Sequence, residues 1–251
     1  MNIFKNSRSF MAGFAGFLAC TAIPALAQDG KWTYDLSMNL WFNDTTVTTD
    51  TPRGEVEAEL SFSDAIEDLD FAFMGTAEAR NGPWGIIGDL LYFNLTADGP
   101  TPDGLLFSEV AAGSQITVLS GVVAYRVHED ANVAVDLGAG FRAFWTDIDT
   151  TFVGAAAPTE TFGQSKDWVD PIVAARVRVA FNDQWFGTAM VDVGGTGDSD
   201  TWQALATVGY RMNENWAFQG GYRYMEAEWD TDQGQSSLEF SGPILGVSYR
   251  F

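Results

Sequence analysis

The sequence predicts an all-β chain that forms one antiparallel up-and-down barrel, with ten strands as the favoured count and eight as the alternative. Apolar residues alternate with small or polar ones along most of the chain, which is the pattern of strands with two different faces. The connections between these segments are alternately short and long. An even number of segments also places both ends of an up-and-down barrel on the same side.

The clearest alternating segment is the last ten residues, which read GPILGVSYRF. One face carries Pro243, Leu245, Val247, Tyr249 and Phe251, and the residues between them are mostly small or polar. A final strand with alternate apolar residues and a terminal aromatic resembles the closing strand of Gram-negative outer-membrane β-barrels. The resemblance implies that Tyr249 and Phe251 serve as an assembly signal for the barrel-assembly machinery.

The first 27 residues read as a secretory signal peptide. Lys5 and Arg8 form its positive region, Phe10–Cys20 is an apolar core too short to span a bilayer, and Ala25–Ala27 is an A-x-A cleavage site. We expect cleavage after Ala27, which leaves residues 28–251 as a single barrel domain. The alternative is a lipoprotein signal ending at Cys20, but Phe is a poor residue three positions before a lipidated cysteine.

Composition narrows the function classes. The chain has 251 residues, which fits one all-β domain, and its only cysteine lies in the leader, so the mature chain has no disulfides. Cleavage removes two basic residues and no acidic ones, which changes the net charge from −21 to −23 and argues against nucleic acid as a partner. The mature sequence contains no stretch of 18 consecutive apolar residues, so it predicts no transmembrane helix. A closed β-sheet is then the structure by which it could span a membrane.

Ten segments are predicted as strands, and five longer, acidic connections alternate with four short ones. The strands are Trp32–Val47, Leu69–Arg80, the stretch from Trp84 through Tyr92, Gln115–Val127, Asn132–Thr146, Val169–Phe181, Trp185–Val193, Thr201–Arg211, Trp216–Trp229 and Leu238–Phe251. The long connections are the stretch through Glu55, Glu57, Glu59 and Asp64, then Ala97–Ser114, Asp147–Asp167, Gly194–Asp200 and Asp230–Ser237. The short turns are Asn81–Pro83, His128–Ala131, Asn182–Gln184 and Met212–Asn215.

Aromatic residues recur at the short-turn ends of these strands. Four of the five upward strands begin with Trp, and three of the five downward strands carry Tyr-Arg near their end, which predicts an aromatic girdle at a membrane interface. The girdle residues are Trp32, Trp84, Tyr125, Trp185, Tyr210, Trp216 and Tyr249. The alternative, in which these rings form the core of a soluble β-sandwich, fits the leader, the strand parity and the terminal strand less well.

The runs DWVDPIVAARVRVAFNDQWFGTAMVDVGG and TWQALATVGYRMNENWAFQGGYRYM resemble small outer-membrane proteins of the OmpA-like and porin-like barrel group. The best-known small members have eight strands, and this sequence departs from them with ten. The resemblance implies a location in the outer membrane with both barrel termini in the periplasm. It also implies contact with membrane lipid and lipopolysaccharide, and we expect a monomer.

If the apolar face meets lipid, the other face lines the lumen and carries many charges. Five arginines, at positions 80, 126, 178, 211 and 250, are predicted to form a belt at the periplasmic mouth, with an acidic belt just above it. The predicted charge network comprises Asp35, Asp70, Glu78, Arg80, Asp89, Arg126, Asp136, Arg142, Arg176, Arg178, Asp192, Arg211, Arg223 and Arg250. Because a barrel of about ten strands is narrow, we favour a lumen plugged by these side chains over a narrow pore for ions or small solutes.

The stretch Ser63–Asp68 has an N-cap-like serine and acids in a first turn. It predicts either a short helix at the barrel mouth or an ordinary surface loop.

The sequence predicts no catalytic site, no metal site and no cofactor. His128 is the only histidine and falls in a short turn, far from the ends where barrel hydrolases of the omptin or phospholipase type need their base. Acidic pairs occur at Asp147/Asp149, Asp198/Asp200, Glu226/Glu228 and Asp230/Asp232, where solvated loop charge is favoured over a weak Ca²⁺ or Mg²⁺ contact to lipopolysaccharide phosphates. Asp230–Asp232 does not begin an EF-hand, and Gly194–Gly197 is a turn rather than a phosphate loop.

Overall fold

The computed structural model describes residues 31–51, 54–60, 69–100, 107–155, 158–231 and 234–251. Twelve strands run through these residues. They are β1 (Thr33–Trp41), β2 (Asp44–Thr51), β3 (Gly54–Leu60), β4 (Leu69–Asn81), β5 (Trp84–Pro100), β6 (Phe107–Glu129), β7 (Val133–Gly154), β8 (Glu160–Ala180), β9 (Trp185–Gly195), β10 (Ser199–Arg211), β11 (Trp216–Thr231) and β12 (Gly234–Arg250). The described part of the chain contains no helix long and apolar enough to cross a membrane. The predicted leader, and the stretch Ser63–Asp68, lie outside the described residues.

Ten of the strands close into one antiparallel barrel, as the sequence predicts. The ring runs β1-β4-β5-β6-β7-β8-β9-β10-β11-β12 and closes where β12 pairs with β1. In that closing pair Asp35 lies opposite Arg250, and Trp41 lies opposite Ile244. The terminal alternating segment is therefore the strand that completes the wall.

Strands β2 and β3 correct the predicted first segment and first connection. The predicted strand Trp32–Val47 is interrupted at residues 42 and 43, and β2 then continues along β12 with Asp44 opposite Ser241. β3 folds back on β2 as a hairpin, so the acidic stretch through Glu55, Glu57 and Glu59 is a strand rather than a loop. This hairpin extends one side of the wall beyond the ten-strand ring.

The other long connections were predicted as loops but are largely paired strand. β5 and β6 pair as far as Pro100 opposite Glu109, and β7 and β8 pair as far as Phe152 opposite Glu160. β9 and β10 are joined by only residues 196–198. A hairpin with solvent on both faces needs no apolar side. Its sequence therefore lacks the apolar–polar alternation that predicts a strand, although its backbone hydrogen bonds continue.

The short turns all lie at one end of the barrel, here called the turn end; the opposite end is the hairpin end. In three of these turns one side-chain oxygen accepts two backbone N–H bonds. Asn182 Oδ1 accepts from Gln184 and Trp185, and Asn213 Oδ1 accepts in the same way from residues 215 and 216. Asp130 Oδ1 takes that role for residues 132 and 133. Such Asx turns reverse the chain and aim the following strand.

Alternation sorts the side chains of the ring strands into an exposed, apolar outer set and a buried inner set. Leu40 is 66 % exposed, Val173 is 59 % exposed and Leu245 is 53 % exposed, all on the outside. Inside, Leu91, Phe144 and Met225 are almost completely buried. The barrel therefore has its core within the ring and presents a broad apolar surface outward.

Glycine permits the close approach of neighbouring strands at corners of the ring. A Cβ added at inward-facing Gly221 would collide with the carbonyl oxygen of Ala206 on β10. By contrast, a Cβ at outward-facing Gly88 would meet nothing within 4 Å. Gly221 thus marks a point where the wall bends sharply to close.

Candidate functional site

The interior at the turn end is built around an arginine that spans it. Arg176 on β8 donates to both oxygens of Glu78 on β4, with N–O distances of 2.8 and 2.9 Å. Its Nη2 also lies 2.7 Å from Oδ2 of Asp136 on β7. Since β4 and β8 are not neighbours in the ring, this guanidinium crosses the interior of the barrel.

Three further arginines surround the same two carboxylates. Arg80 contacts Glu78 at 3.1 Å and Asp136 at 3.0 Å. Arg126 binds Asp136 Oδ1 at 2.9 Å, and Arg178 binds Glu78 Oε2 at 3.1 Å. We call these six residues the turn-end cluster: Glu78, Arg80, Arg126, Asp136, Arg176 and Arg178. Four guanidiniums share two carboxylates within it.

A small apolar group on β5, β6 and β8 adjoins the turn-end cluster on one side of the interior. It is formed by the buried residues Ile87, Val122, Ala124 and Ile172, with Ala174 packed against them. A cavity at its boundary is also lined by Asp136, Arg176 and Met190. On this side of the interior, the turn-end charges therefore border apolar side chains.

A second polar assembly spans the middle of the barrel. Arg223 on β11 reaches Asp89 on β5, with Nη2 2.6 Å from Oδ1, and its Nε donates to Gln203 on β10 at 3.0 Å. Gln203 Nε2 in turn donates to Asp192 on β9, whose other oxygen lies 2.8 Å from Arg142 Nη2.

Neutral side chains complete this assembly. Arg142 Nε donates to Ser120 and its Nη1 to Thr201, each at 3.0 Å, while Thr76 donates to Asp89 at 2.9 Å. We call the whole set the mid-barrel network, comprising Thr76, Asp89, Ser120, Arg142, Asp192, Thr201, Gln203 and Arg223. It links both sides of the wall, because β5 and β11 lie on opposite sides of the ring.

Toward the hairpin end the interior is a large apolar cluster. Its buried members are Trp41, Met74, Leu91, Phe93, Ile116, Val118, Phe144, Met225, Ala227, Leu238, Phe240 and Ile244. Trp168 stacks on Phe144 with centroids 4.5 Å apart and packs against Trp229 at 5.0 Å. Lys166 covers these two indoles and donates to the carbonyl of Asp230 at 3.0 Å. The sequence did not predict this cluster, because the alternation was interpreted as placing large apolar residues chiefly on the outer face.

The structure places thirteen of the fourteen predicted charge-network residues in four places. The turn-end cluster holds Glu78, Arg80, Arg126, Asp136, Arg176 and Arg178, and the mid-barrel network holds Asp89, Arg142, Asp192 and Arg223. Asp35 and Arg250 form a separate pair at the rim, with N–O distances of 2.9 and 3.1 Å. Arg211 lies over the Phe186 ring at 4.8 Å and donates to the Asp183 carbonyl. The side chain of Asp70 lies outside the described residues.

Two details of the interior differ from the prediction made from the sequence. Asp89, predicted in an acidic belt beside the periplasmic arginines, instead bonds Arg223 in the mid-barrel network. Asp170, which the sequence reading left out, is fully buried and accepts hydrogen bonds from Ser199 and from Trp168 Nε1. The signal for Asp170 was present, because it occupies an inward position two residues from Trp168 and six from Arg176.

The predicted girdle residues lie on the outer face at the turn end, where several form cross-strand pairs. Trp84 meets Tyr125 at 4.9 Å, Trp185 meets Tyr210 at 5.1 Å, and Trp216 meets Tyr249 at 4.8 Å, all edge-on. Trp32 stacks instead on Tyr34. In each of the three hairpins the arginine after the tyrosine donates its backbone N–H to the residue before the tryptophan.

The turn around His128 is exposed and offers no catalytic geometry. Its Nε2 lies 3.1 Å from Asp130 Oδ2, and both side chains are more than half exposed. Hydrogen bonds from the backbone N–H groups of Asn132 and Val133 lower the pKa of Asp130 from its ordinary value. These contacts hold the turn in shape.

The acidic pairs at the hairpin end are not arranged as a metal site in the described structure. Glu226 Oε2 accepts from Trp202 Nε1 and from the Tyr224 hydroxyl, each at 2.8 Å. Across the residues that the structure describes, no group of three or more His, Cys, Asp or Glu side chains is placed to hold a metal ion.

No family model matches the chain, and no curated protein matches it. The solved structures that it resembles are outer-membrane β-barrels. They include Ail, the attachment invasion locus protein of Yersinia pestis, at 13% identity over 89% of this chain and 100% of that one, with a TM-score of 0.34. The toluene transporter TodX of P. putida is 12% identical over 89% of this chain and 90% of that one, with a TM-score of 0.32. The transport unit of the autotransporter AIDA-I from Escherichia coli is 5% identical over 90% and 92%, with a TM-score of 0.40. These values describe a distant likeness of architecture and carry no information about activity.

Proposed function

We propose that this protein is an integral outer-membrane barrel with a structural and surface role in the cell envelope, and that its side chains close the lumen to ions. The observation that carries the proposal is the bridge from Arg176 to Glu78 and Asp136, which fills the interior at the turn end. A structural barrel gains from such a bridge because it braces strands that do not pair with one another.

The outer face supports the membrane location. Its exposed aliphatic side chains would be costly in water, and they meet lipid at no such cost in a bilayer. The girdle of Trp and Tyr fits an interface where one end of each ring is wet. In this proposal the chain is exported through a signal peptide cleaved after Ala27, and the turn end faces the periplasm. The acidic hairpin end then faces outward.

The arrangement of the interior supports a closed lumen. Charged groups occupy the turn end beside a small apolar group, the mid-barrel network comes next, and the large apolar cluster occupies the hairpin end. An ion moving along the axis would have to break buried ion pairs and also pass the large apolar cluster without its hydration shell.

Conductance in a planar bilayer tests the closed lumen. We expect the refolded wild-type protein to show no unitary conductance, and the double variant Arg176→Ala/Arg223→Ala to show discrete openings. The matched control is Arg211→Ala/Arg250→Ala, which removes two guanidiniums without touching either cross-lumen bridge. Reproducible wild-type openings would instead establish a narrow channel, and silence of the first double variant would show that the bridges do not close the lumen.

Membrane residence has its own test. We expect the protein to require detergent for solubility and to change its gel mobility on boiling, as a closed barrel does when it unfolds. The N-terminal residue of the protein recovered from outer membranes should be Gln28. A detergent-free soluble protein with one gel mobility would refute the membrane proposal.

We further propose that its partners are outer-membrane lipid and lipopolysaccharide along the wall, and the barrel-assembly machinery through β12. Separation by size at several protein concentrations in detergent should give a monomer. No catalytic role is proposed, because the only histidine, His128, lies in the exposed turn described above.

A further inference from the structure

The turn end of the interior carries more positive charge than its own carboxylates neutralise. The inward-facing charges there are Arg80, Arg126, Arg176, Arg178, Arg211 and Arg250 against Asp35, Glu78 and Asp136. Six guanidiniums facing three carboxylates leave a net charge of +3. The turns at this end carry four exposed acids outside the interior, Glu129, Asp130, Asp183 and Glu214, and Glu129 pairs with Arg126. The rest of the chain is strongly acidic, with a net charge of −21 overall.

Arg178 has the weakest pairing in the turn-end cluster. Within the described residues it forms one ion pair, with Glu78 Oε2 at 3.1 Å, and Arg176 already binds that oxygen at 2.8 Å. Its Nε is buried and has no hydrogen-bond partner within the described part of the chain. About a third of the Arg178 side chain, 35 %, remains exposed. This guanidinium therefore retains donors and an opening toward solvent.

Arg250 lies at the same rim and is also incompletely covered. It pairs with Asp35 through two contacts, yet half of its side chain is exposed. Asp35 lies opposite Glu78, the partner of Arg178, in the pairing of β1 with β4, which places the two ion pairs on neighbouring strands. Arg178 and Arg250 are therefore two partly exposed guanidiniums at the same mouth, each with one carboxylate partner.

We propose that the turn-end mouth binds an oxyanion, with Arg178 as the principal ligand and Arg250 as the second. A guanidinium presents parallel N–H donors that match the two oxygens of a carboxylate or the edge of a phosphate. The surrounding protein screens charge less than water does, which strengthens the attraction. One bound anion offsets the excess charge and supplies acceptors to Arg178.

The bound oxyanion has two candidate sources in the cell envelope. The oxyanion is either free phosphate or a carboxylate borne by a periplasmic polymer such as the peptides of the cell wall. The choice between these sources rests on the proposed function, since only there does the turn end face the periplasm. Binding itself depends on the folded barrel alone.

Titration calorimetry on the folded protein in uncharged detergent micelles at low salt tests the site. The probes are inorganic phosphate and a tri-glutamate peptide with free carboxylates. We expect saturable binding of at least one probe to the wild type, about tenfold weaker in Arg178→Gln. Arg178→Lys should fall between them because it keeps the charge and loses the fork. Tighter binding of tri-glutamate assigns the site to a polymer carboxylate, and tighter binding of phosphate assigns it to the free ion.

The control is Lys166→Gln, which removes one positive charge at the hairpin end and should bind like the wild type. The gel-mobility shift on boiling verifies that each variant is folded. Arg250→Gln, at the more exposed position, provides a second test, and it should bind the probe more weakly than the wild type. No saturable binding to the wild type would overturn the proposal. Equal binding by wild type and Arg178→Gln would overturn it as well, whereas conductance of the wild type would overturn the closed lumen and leave this site standing.

Discussion

Arg176 and Glu78 form a bidentate ion pair between strands that lie four steps apart around the ten-strand ring. Backbone hydrogen bonds hold neighbouring strands of the wall at a fixed separation. This ion pair does the same across the interior for β4 and β8, which are not neighbours. Asp136 shares the same guanidinium and ties β7 into the brace.

Replacing Arg176 with Leu should lower the free energy of unfolding by about 3 to 5 kcal/mol, because Glu78 and Asp136 then lose their central partner while buried. Urea unfolding followed by tryptophan fluorescence in micelles measures the loss. Arg250→Leu is the control, since its pair with Asp35 is partly exposed and should cost about 1 kcal/mol or less. Equal losses for the two variants would contradict the assigned brace.

Replacing Gly221 with Ala should sharply reduce the yield of folded barrel, because the new methyl group would collide with the Ala206 carbonyl at a corner of the ring. The folded fraction is read from gel mobility with and without boiling. Gly88→Ala makes the same chemical change where a Cβ meets nothing, and it should fold like the wild type. A normal yield for Gly221→Ala would mean that the wall does not bend there.

The Trp216–Tyr249 pair should contribute a coupling free energy of about 0.5 to 1.5 kcal/mol, as edge-on aromatic pairs do. A double-mutant cycle with Trp216→Leu and Tyr249→Leu measures it in lipid vesicles. The cycle that combines Trp216→Leu with Tyr125→Leu should give almost no coupling, since Tyr125 pairs with Trp84 instead. Coupling of similar size in both cycles would contradict a specific contact.

Asp130 should give the turn it shapes a dependence on acidity. Its pKa is lowered in the folded protein, so its contribution to stability is complete above the ordinary value of 3.8 and is lost as pH falls through the lower folded value. Asp130→Asn should keep the turn, as Asn182 and Asn213 do in theirs, and should lose this acid dependence. Unfolding curves across that acidic range, compared between the two proteins, provide the measurement. Identical acid dependence would show that Asp130 does not titrate as assigned.

The outer face and the ring could be predicted from the sequence because they depend on the alternation of residues along each strand. Leu36, Met38 and Leu40 repeat every second residue, and each takes the face that the period assigns to it. The Trp and Tyr positions were equally accessible, since they follow the short turns directly. Backbone period and turn chemistry act over a few residues, and a single sequence records them.

The interior was accessible only in part, because its contacts join residues far apart in the chain. Alternation identified Arg223 and Asp89 as inward-facing, but it did not pair them, since that contact depends on how the strands are staggered around the closed ring. Phe240 and Ile244 show the other limit. Both are buried inside, and their apolar character alone does not distinguish a lumen core from a lipid-facing strand.

Strand β12 has neighbours from both ends of the described barrel, since it pairs with β11 and also with β1 and β2. Asp35 and Arg250, which meet across the seam, are 215 residues apart in sequence. Until β12 is in place, β1 and β11 each keep an unpaired edge that invites pairing with another chain. A barrel without the β1–β12 seam therefore exposes two strand edges, and it is a species that a cell must shield from its neighbours.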